Sequence, residues 1–255
     1  MSGRSVGGRV VVITASARGI GRAAAGSLAA EGATVHLADV DGEAAERAVA
    51  EIVDAGGGAH AHVCDVTSET DVARLFEDVG AQEGRVDCLV NNAGIYPRLA
   101  FRETTVADLD RVLGVNFRGS FLCTMAVLPW MESAGGSIVY MSSGAGTLAS
   151  IQFPTARSLP LYGAAKAAVD RWALGVAHEL RDLGIAANVL YPGAFVRTDG
   201  LAALELTEEE RADTVSPDFV APAISWLAAQ TVEDGSGEIL LAKDFGRSWG
   251  PSLGS

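Results

Sequence analysis

Short runs of valine, isoleucine and leucine recur along the chain, each followed by a longer stretch in which apolar residues return every three or four positions. The first run, Val10-Val11-Val12-Ile13, contains no polar residue and so suits a strand covered on both faces. The pattern predicts strands near 9–14, 34–39, 59–64, 86–91, 136–142, 185–191 and 238–242. Helices are predicted near 19–31, 42–55, 69–82, 105–132, 161–182 and 217–229. Strands alternating with helices of this length make a parallel sheet with crossover helices, an α/β fold. Two stretches break the alternation: 144–160, which holds Pro154 and Pro160, and 194–216. Both follow predicted strand ends, where open α/β sheets bind ligands, and they are expected to form a substrate loop and a lid. No linker, repeat or low-complexity segment divides the 255 residues, so one domain is expected over 1–255.

A net charge of −13 argues against nucleic acid or an anionic membrane as partner. No apolar run in the sequence approaches the roughly 18 residues that span a bilayer. The first strand begins within ten residues of the N-terminus, without a cleavable signal pattern, and a cytoplasmic protein is expected. Cys64, Cys88 and Cys123 are isolated and lack metal-ligand spacing, which fits buried free thiols in a reducing compartment. His60 and His62 alternate within a predicted strand and read as sheet residues, so no metal site is expected.

The first strand runs into Thr14-Ala15-Ser16-Ala17-Arg18-Gly19-Ile20-Gly21 and then into an alanine-rich helix. Such a turn presents unpaired N–H groups and a positive dipole end to a pyrophosphate, with glycines allowing close approach. Asp39 ends the second strand, where a carboxylate would accept hydrogen bonds from an adenosine ribose; Asp41 is the better helix cap. A carboxylate there would repel a 2′-phosphate, so Asp39 favours NAD over NADP. Arg18 pulls the other way, but Asp39 would sit against the discriminating hydroxyl.

Only two lysines occur, Lys166 and Lys243, against seventeen arginines. Lys166 follows Tyr162 by four residues in a segment expected to be helical, so phenol and ammonium share a face. Composition alone would produce about 0.03 such pairs. An exposed helix pair is one account. The other is an acid/base tyrosine whose phenolate is stabilised by the neighbouring cation.

Taken in order, these residues resemble the short-chain dehydrogenase/reductases, from about Gly8 to Gly246. The resemblance rests on the Thr14–Gly21 turn, Asp65 after the third strand, Asn91-Asn92-Ala93-Gly94, and Asn116 in Val-Asn-Phe-Arg-Gly. Ser142-Ser143, Tyr162/Lys166 and Pro192-Gly193 complete it. It implies a single-domain, three-layer doubly wound Rossmann fold with a seven-stranded parallel sheet and helices on both faces. The implied catalytic set is Asn116, Ser143, Tyr162 and Lys166, with Ser142 finishing the strand. The implied cofactor contacts are Thr14, Ser16, Arg18, Gly19, Ile20, Gly21, Asp39, Asp65 at the adenine, Val66, Asn92, Ala93 and Gly94. Tyr162, Lys166, Pro192, Gly193 and Thr198 complete them near the nicotinamide.

By the same resemblance, the chain would be an NAD-dependent oxidoreductase interconverting a secondary alcohol and its ketone by hydride transfer. Tyr162 would serve as acid/base, Ser143 would hold the substrate oxygen, and Asn116 would order a water beyond Lys166. Assembly as a homotetramer or homodimer through the helices 105–132 and 161–182 is also implied. Tyr96, Pro97, Phe101, Phe153, Phe195, Leu201 and Leu204 suggest an apolar, cyclic or aromatic substrate, with Arg157 in the same loop. The chain departs from the family pattern at Ala15, which stands where the turn's first glycine is usual. It departs again in the 19-residue step from Ser143 to Tyr162, and in one extra residue before Thr198. Two other readings are a nucleotide-binding sensor or scaffold without turnover and a cofactor-free dehalogenase on the same scaffold. Asp39, Asp65 and Lys166 disfavour the latter.

Overall fold

The unbroken apolar runs are central strands with both faces buried. The protein is described by a computed structural model covering residues 5–149, 159–202 and 206–251. Strand β1 (Val10–Thr14) is buried at every position. Val11 and Ile13 enter one core, and Val10 and Val12 enter the other. Six further strands join it: β2 (Thr34–Asp39), β3 (Gly58–Val63), β4 (Cys88–Asn91), β5 (Gly136–Met141), β6 (Ile185–Tyr191) and β9 (Ile239–Leu241). All pair in parallel in the order β3-β2-β1-β4-β5-β6-β9. The order reverses between β1 and β4, and this crevice at the carboxyl ends of the strands is where such sheets bind ligands.

Helices α1 (Gly19–Ala30), α2 (Gly42–Asp54) and α9 (Ala221–Ala228) cover one face through Leu28, Ile52, Ile224 and Leu227. On the other lie α3 (Glu69–Glu83), α5 (Gly119–Met131) and α6 (Pro160–Glu179), which bury Leu75, Phe76, Val127 and Val169. Asp41 caps α2, its carboxylate accepting from Ala44 N–H at 3.0 Å, as its position before Gly42-Glu43-Ala44 suggested. Cys64, Cys88 and Cys123 are buried free thiols.

Two regions differ from expectation. The helix predicted over 105–132 is α4 (Val106–Leu113), a π-helical turn over Gly114–Arg118, and then α5. The apolar period continues through the extra residue, so sequence alone does not reveal the turn. Glycines flank it, and Gly119 lies so close to Val66 that a Cβ there would come within 2.8 Å of a valine methyl. By length and composition, Val106–Met131 also passes as a membrane span, although no such run was read from the sequence. Cys123, Val127 and Met131 on it pack into the second core, whereas Val106, Leu109, Phe121 and Met125 are exposed. Within 194–216, a small sheet pairs β7 (Phe195–Val196) with β8 (Thr214–Val215), and two short helices, α7 (Asp199–Ala202) and α8 (Glu208–Ala212), lie between them in sequence. Phe153, Arg157 and Leu204 fall outside the described residues.

Candidate active site

The turn after β1 is braced from within. Thr14 Oγ1 accepts from the N–H groups of Asn92 and Ala93, each at 3.0 Å, and the Asn92 amide donates to the carbonyls of Thr14 and Ala15 at 2.9 Å. The Ser16 hydroxyl turns inward to the Ile13 carbonyl at 2.8 Å and is fully buried. The hydroxyls of Thr14 and Ser16, both named among the cofactor contacts, satisfy buried backbone groups that the tight turn would otherwise strand. Gly21 permits this closeness, since a Cβ there would lie 2.6 Å from the Ala15 carbonyl oxygen and 2.7 Å from the Asn92 amide.

Ala15 has φ of +50°, a left-handed conformation that alanine adopts despite its Cβ. The methyl therefore does not prevent the family's turn geometry; the cost appears as local strain. Helix α1 begins with neither a side-chain cap nor an acidic residue in its first turn, which leaves donors and dipole available to an anion. Ile20, next to Gly19, is half-buried against the first core.

Asp39 stands at the end of β2 beside this turn. One of its carboxylate oxygens accepts from Ala17 N–H and the other from Asp41 N–H, both at 3.0 Å. Arg18, which sequence placed as a possible partner of a 2′-phosphate, is ion-paired to Asp41. Asp65 is exposed and accepts from the Thr67 N–H and hydroxyl, each at 2.8 Å. It lines a cleft of about 520 Å³ together with Val40, Thr67, Arg111, Gly114 and Val115. Val66 is buried against Gly119.

Helix α6 brings the predicted catalytic side chains together. Pro160 occupies its first turn, where the missing N–H costs nothing. The Ser143 hydroxyl hydrogen-bonds the Tyr162 phenol. Lys166 Nζ lies 5.7 Å from the centre of the Tyr162 ring and donates to the Met141 carbonyl at 2.8 Å. Asn116 is fully buried in the π-turn, its amide donating to the carbonyls of Ile95 at 2.8 Å and Val112 at 2.9 Å. Its Oδ1 has no hydrogen-bond partner among the described residues. A Cβ on Gly94 would come 2.8 Å from that oxygen and 3.4 Å from Lys166 Nζ, so one small space beside Gly94 touches both groups. A water or cofactor hydroxyl there would satisfy the stranded oxygen.

Burial shapes the proton affinities. It pushes the Tyr162 phenol well above the usual tyrosine value, with the Ser143 hydrogen bond opposing. It lowers Lys166 to about 8, with the Asp170 carboxylate opposing. Asp170 is a residue that sequence reading missed. It lies four positions beyond Lys166 on the same helix face, is buried, and accepts from the Tyr191 hydroxyl. The i, i+4 spacing was the available signal.

Thr198, in the segment after β6, reaches back to the site. Tyr96 packs against Tyr162 with ring centres 5.4 Å apart and planes tilted by 57°, and its hydroxyl is 2.9 Å from that of Thr198. Thr198 also lies over the nucleotide turn, since a Cβ on Gly19 would meet its methyl at 3.1 Å. Pro192 and Gly193 lead from β6 toward this segment, with Gly193 at φ of +76° against Lys243. Leu201 is buried and Phe195 half-buried in β7, whereas Phe101 is 82% exposed and stands away from any packed wall.

Comparison with known proteins agrees with this arrangement. The short chain dehydrogenase family model matches residues 9–209. A cyclopentanol dehydrogenase of Comamonas sp. is 33% identical over 240 residues, covering 94% of this chain and 91% of its own. The 3-ketoacyl-(acyl-carrier-protein) reductase from Brucella melitensis, solved with NADH, superposes with a TM-score of 0.83 at 30% identity. That alignment covers 93% of this chain and 97% of the other. A Beutenbergia cavernae structure with bound NADP gives a TM-score of 0.84 at 30% identity, covering 93% and 96% of the two chains. The chain belongs to the short-chain dehydrogenases, a family of NAD(P)-binding oxidoreductases.

Proposed function

We propose that the protein is an NAD-preferring dehydrogenase that interconverts a secondary alcohol and its ketone, with Tyr162 as the acid/base. The observation that carries the reading is the convergence of Ser143, Tyr162 and buried Lys166 beside the stranded oxygen of Asn116. A protein that only sensed or carried a nucleotide would have no use for a serine hydroxyl aimed at that phenol.

The residues present fit a dinucleotide. The uncapped start of α1 and the free Oδ1 of Asn116 each leave hydrogen-bonding capacity for one. When bound, NAD⁺ supplies a hydride acceptor and a positive charge. Ser143 would hold the substrate oxygen near Tyr162, and Tyr162 would take the hydroxyl proton. A phenol must fall from about 10 to near 7 to act at neutral pH, which needs roughly 4 kcal/mol of preferential phenolate stabilisation. Burial of the phenol adds to that requirement. Lys166 would lend its charge to the phenolate and pass the proton toward the water beside Asn116 and Gly94.

Asp39 supports NAD over NADP, because its carboxylate is held in place by two backbone N–H groups where a ribose would lie. The engagement of Arg18 with Asp41 supports the same choice. Tyr96, Phe195 and Leu201 give the site apolar character suited to a cyclic or aromatic alcohol, and the Comamonas relative is a cyclopentanol dehydrogenase. Assembly as a homotetramer or homodimer and a cytoplasmic location belong to the same reading.

Titration of NAD⁺ and NADP⁺ by fluorescence, followed by a screen of secondary alcohols read as absorbance of the reduced cofactor, tests the proposal. Tight NAD⁺ binding and turnover of at least one cyclic alcohol are expected. Failure to bind either nucleotide would overturn it.

A further inference from the structure

Away from the crevice, the edge of the sheet gathers three histidines under the end of α3. His36 on β2 is the register partner of His60 on β3, and their rings stack at 4.9 Å. His62, two residues further along β3, brings its Nε2 to 3.0 Å from His36 Nδ1. Gln82 and Glu83 at the end of α3 close the group. The Gln82 amide lies 2.9 Å from His60 Nε2, and Glu83 Oε1 lies 3.5 Å from His36 Nε2. Asp78, on the same helix, adds negative potential at His62.

We propose that His36, His60 and Glu83 bind a divalent transition cation, with Zn²⁺ as the best match. Each offers one ligand atom, and the three atoms lie within 4.8 Å of one another. Tetrahedral zinc with bonds of about 2.0–2.1 Å places its ligands roughly 3.3 Å apart, so the pair His36–Glu83 is already near that spacing. Small rotations of the half-buried His60 and Glu83 side chains close the remainder. Two imidazoles and a carboxylate leave the fourth position to water, as in three-ligand zinc sites.

The independent observation is the state of His36. Its side chain is 0% exposed, and its Nε2 has no hydrogen-bond partner among the described residues. With Nδ1–H donated to His62, the Nε2 lone pair faces a carboxylate oxygen, two electron-rich atoms with no donor between them. His62 then fixes the His36 ring and its tautomer, the usual outer-shell arrangement around a metal-bound imidazole. The cation would pin edge strand β3 and its neighbour β2 to the end of α3. No local pattern marks this group, because His60 and His62 read as ordinary strand residues and the remaining ligands lie more than twenty positions away in the chain.

The test uses untagged protein stripped with a chelator and titrated with Zn²⁺ by calorimetry, and with Co²⁺ by visible absorption. Saturation at one equivalent, a raised Tm and the intense d–d bands of tetrahedral Co²⁺ are expected. Glu83→Gln and His60→Asn should each weaken Zn²⁺ binding by at least about tenfold, the scale set by losing even an outer-shell partner. Should His60→Asn fold poorly, Glu83→Gln, at a helix end, decides alone. No saturable binding, or undiminished affinity in a folded variant of either ligand, overturns the site; the 3.5 Å contact is then a simple His36 Nε2–H to Glu83 pairing.

Discussion

Lys166 holds its Nζ 5.7 Å from the centre of the Tyr162 ring and gives a 2.8 Å hydrogen bond to the Met141 carbonyl, beneath the phenol it is meant to activate. In the protein alone, burial moves the two groups oppositely, raising the phenol and lowering the ammonium to about 8. Both shifts favour the neutral forms. A second positive charge at the site would reverse the balance, which couples base strength to cofactor binding. Tyr162→Phe removes the ionisable oxygen and keeps the ring that packs against Tyr96. Turnover should fall by about 10²–10⁴-fold, the range for loss of a positioned acid/base, while NAD⁺ affinity stays within about twofold. Steady-state kinetics and a fluorescence titration on the same preparation check both halves; substantial residual turnover would remove Tyr162 from its role.

The lysine carries a stability penalty that activity requires. Its fall from 10.5 to about 8 corresponds to roughly 3 kcal/mol against the charged form, at 1.36 per unit. Lys166→Met should therefore abolish turnover yet stabilise the cofactor-free protein by about 1–3 kcal/mol, less whatever the lost bond to Met141 contributes. The pH dependence has a definite sign. Below about 8 the lysine is protonated both folded and unfolded, and the whole penalty applies. Between about 8 and 10.5 the unfolded chain keeps its proton while the folded one loses it, so wild-type stability rises with pH relative to Lys166→Met. Urea unfolding of both proteins at pH 7, 8, 9 and 10 would reveal the convergence; parallel curves would mean Lys166 is not destabilised by burial.

What was legible in the chain depended on how local its physics is. Val10–Ile13, Asp41 and the Tyr162/Lys166 pair follow from short-range rules of burial, capping and helix spacing, and the structure places them accordingly. The π-turn at Gly114–Arg118 leaves no local mark, because one added residue hardly disturbs an apolar helix. The inward hydroxyls of Thr14 and Ser16 depend on Asn92 and Ile13 approaching them in three dimensions. The bond from Tyr96 to Thr198 likewise joins segments about a hundred residues apart, visible only once the chain is folded. Asp170 was legible by spacing from Lys166 but is chemically unremarkable without knowledge of its burial.

Asp39 has two tasks, and a substitution separates them. Its carboxylate anchors the N–H groups of Ala17 and Asp41, so Asp39→Ala strands two donors and should cost about 1–3 kcal/mol of stability. If it also repels a 2′-phosphate, the ratio of kcat/KM for NAD⁺ over NADP⁺ should fall at least about tenfold, equal to some 1.4 kcal/mol of discrimination. Stability alone would depress both cofactors together. A reduced activity with an unchanged ratio would therefore leave Asp39 as a brace for the turn and nothing more.

Ala15 tests whether the departure from a glycine turn is functional. At φ of +50° an alanine pays about 1 kcal/mol or more over glycine in the folded state. Ala15→Gly relieves that strain but frees the unfolded chain, which returns roughly 0.4–1 kcal/mol, and it gives up a methyl that packs on the second core. The terms nearly cancel, so stability should change by less than about 1 kcal/mol. Nucleotide affinity separates the alternatives more sharply. Because the alanine already adopts the left-handed turn, its backbone N–H groups need no rearrangement to meet a pyrophosphate, and NAD⁺ affinity in Ala15→Gly should match wild type within about threefold, roughly 0.6 kcal/mol. A gain beyond tenfold, measured by the same fluorescence titration, would show instead that the methyl crowds the nucleotide and that the wild-type turn is tuned for weaker binding.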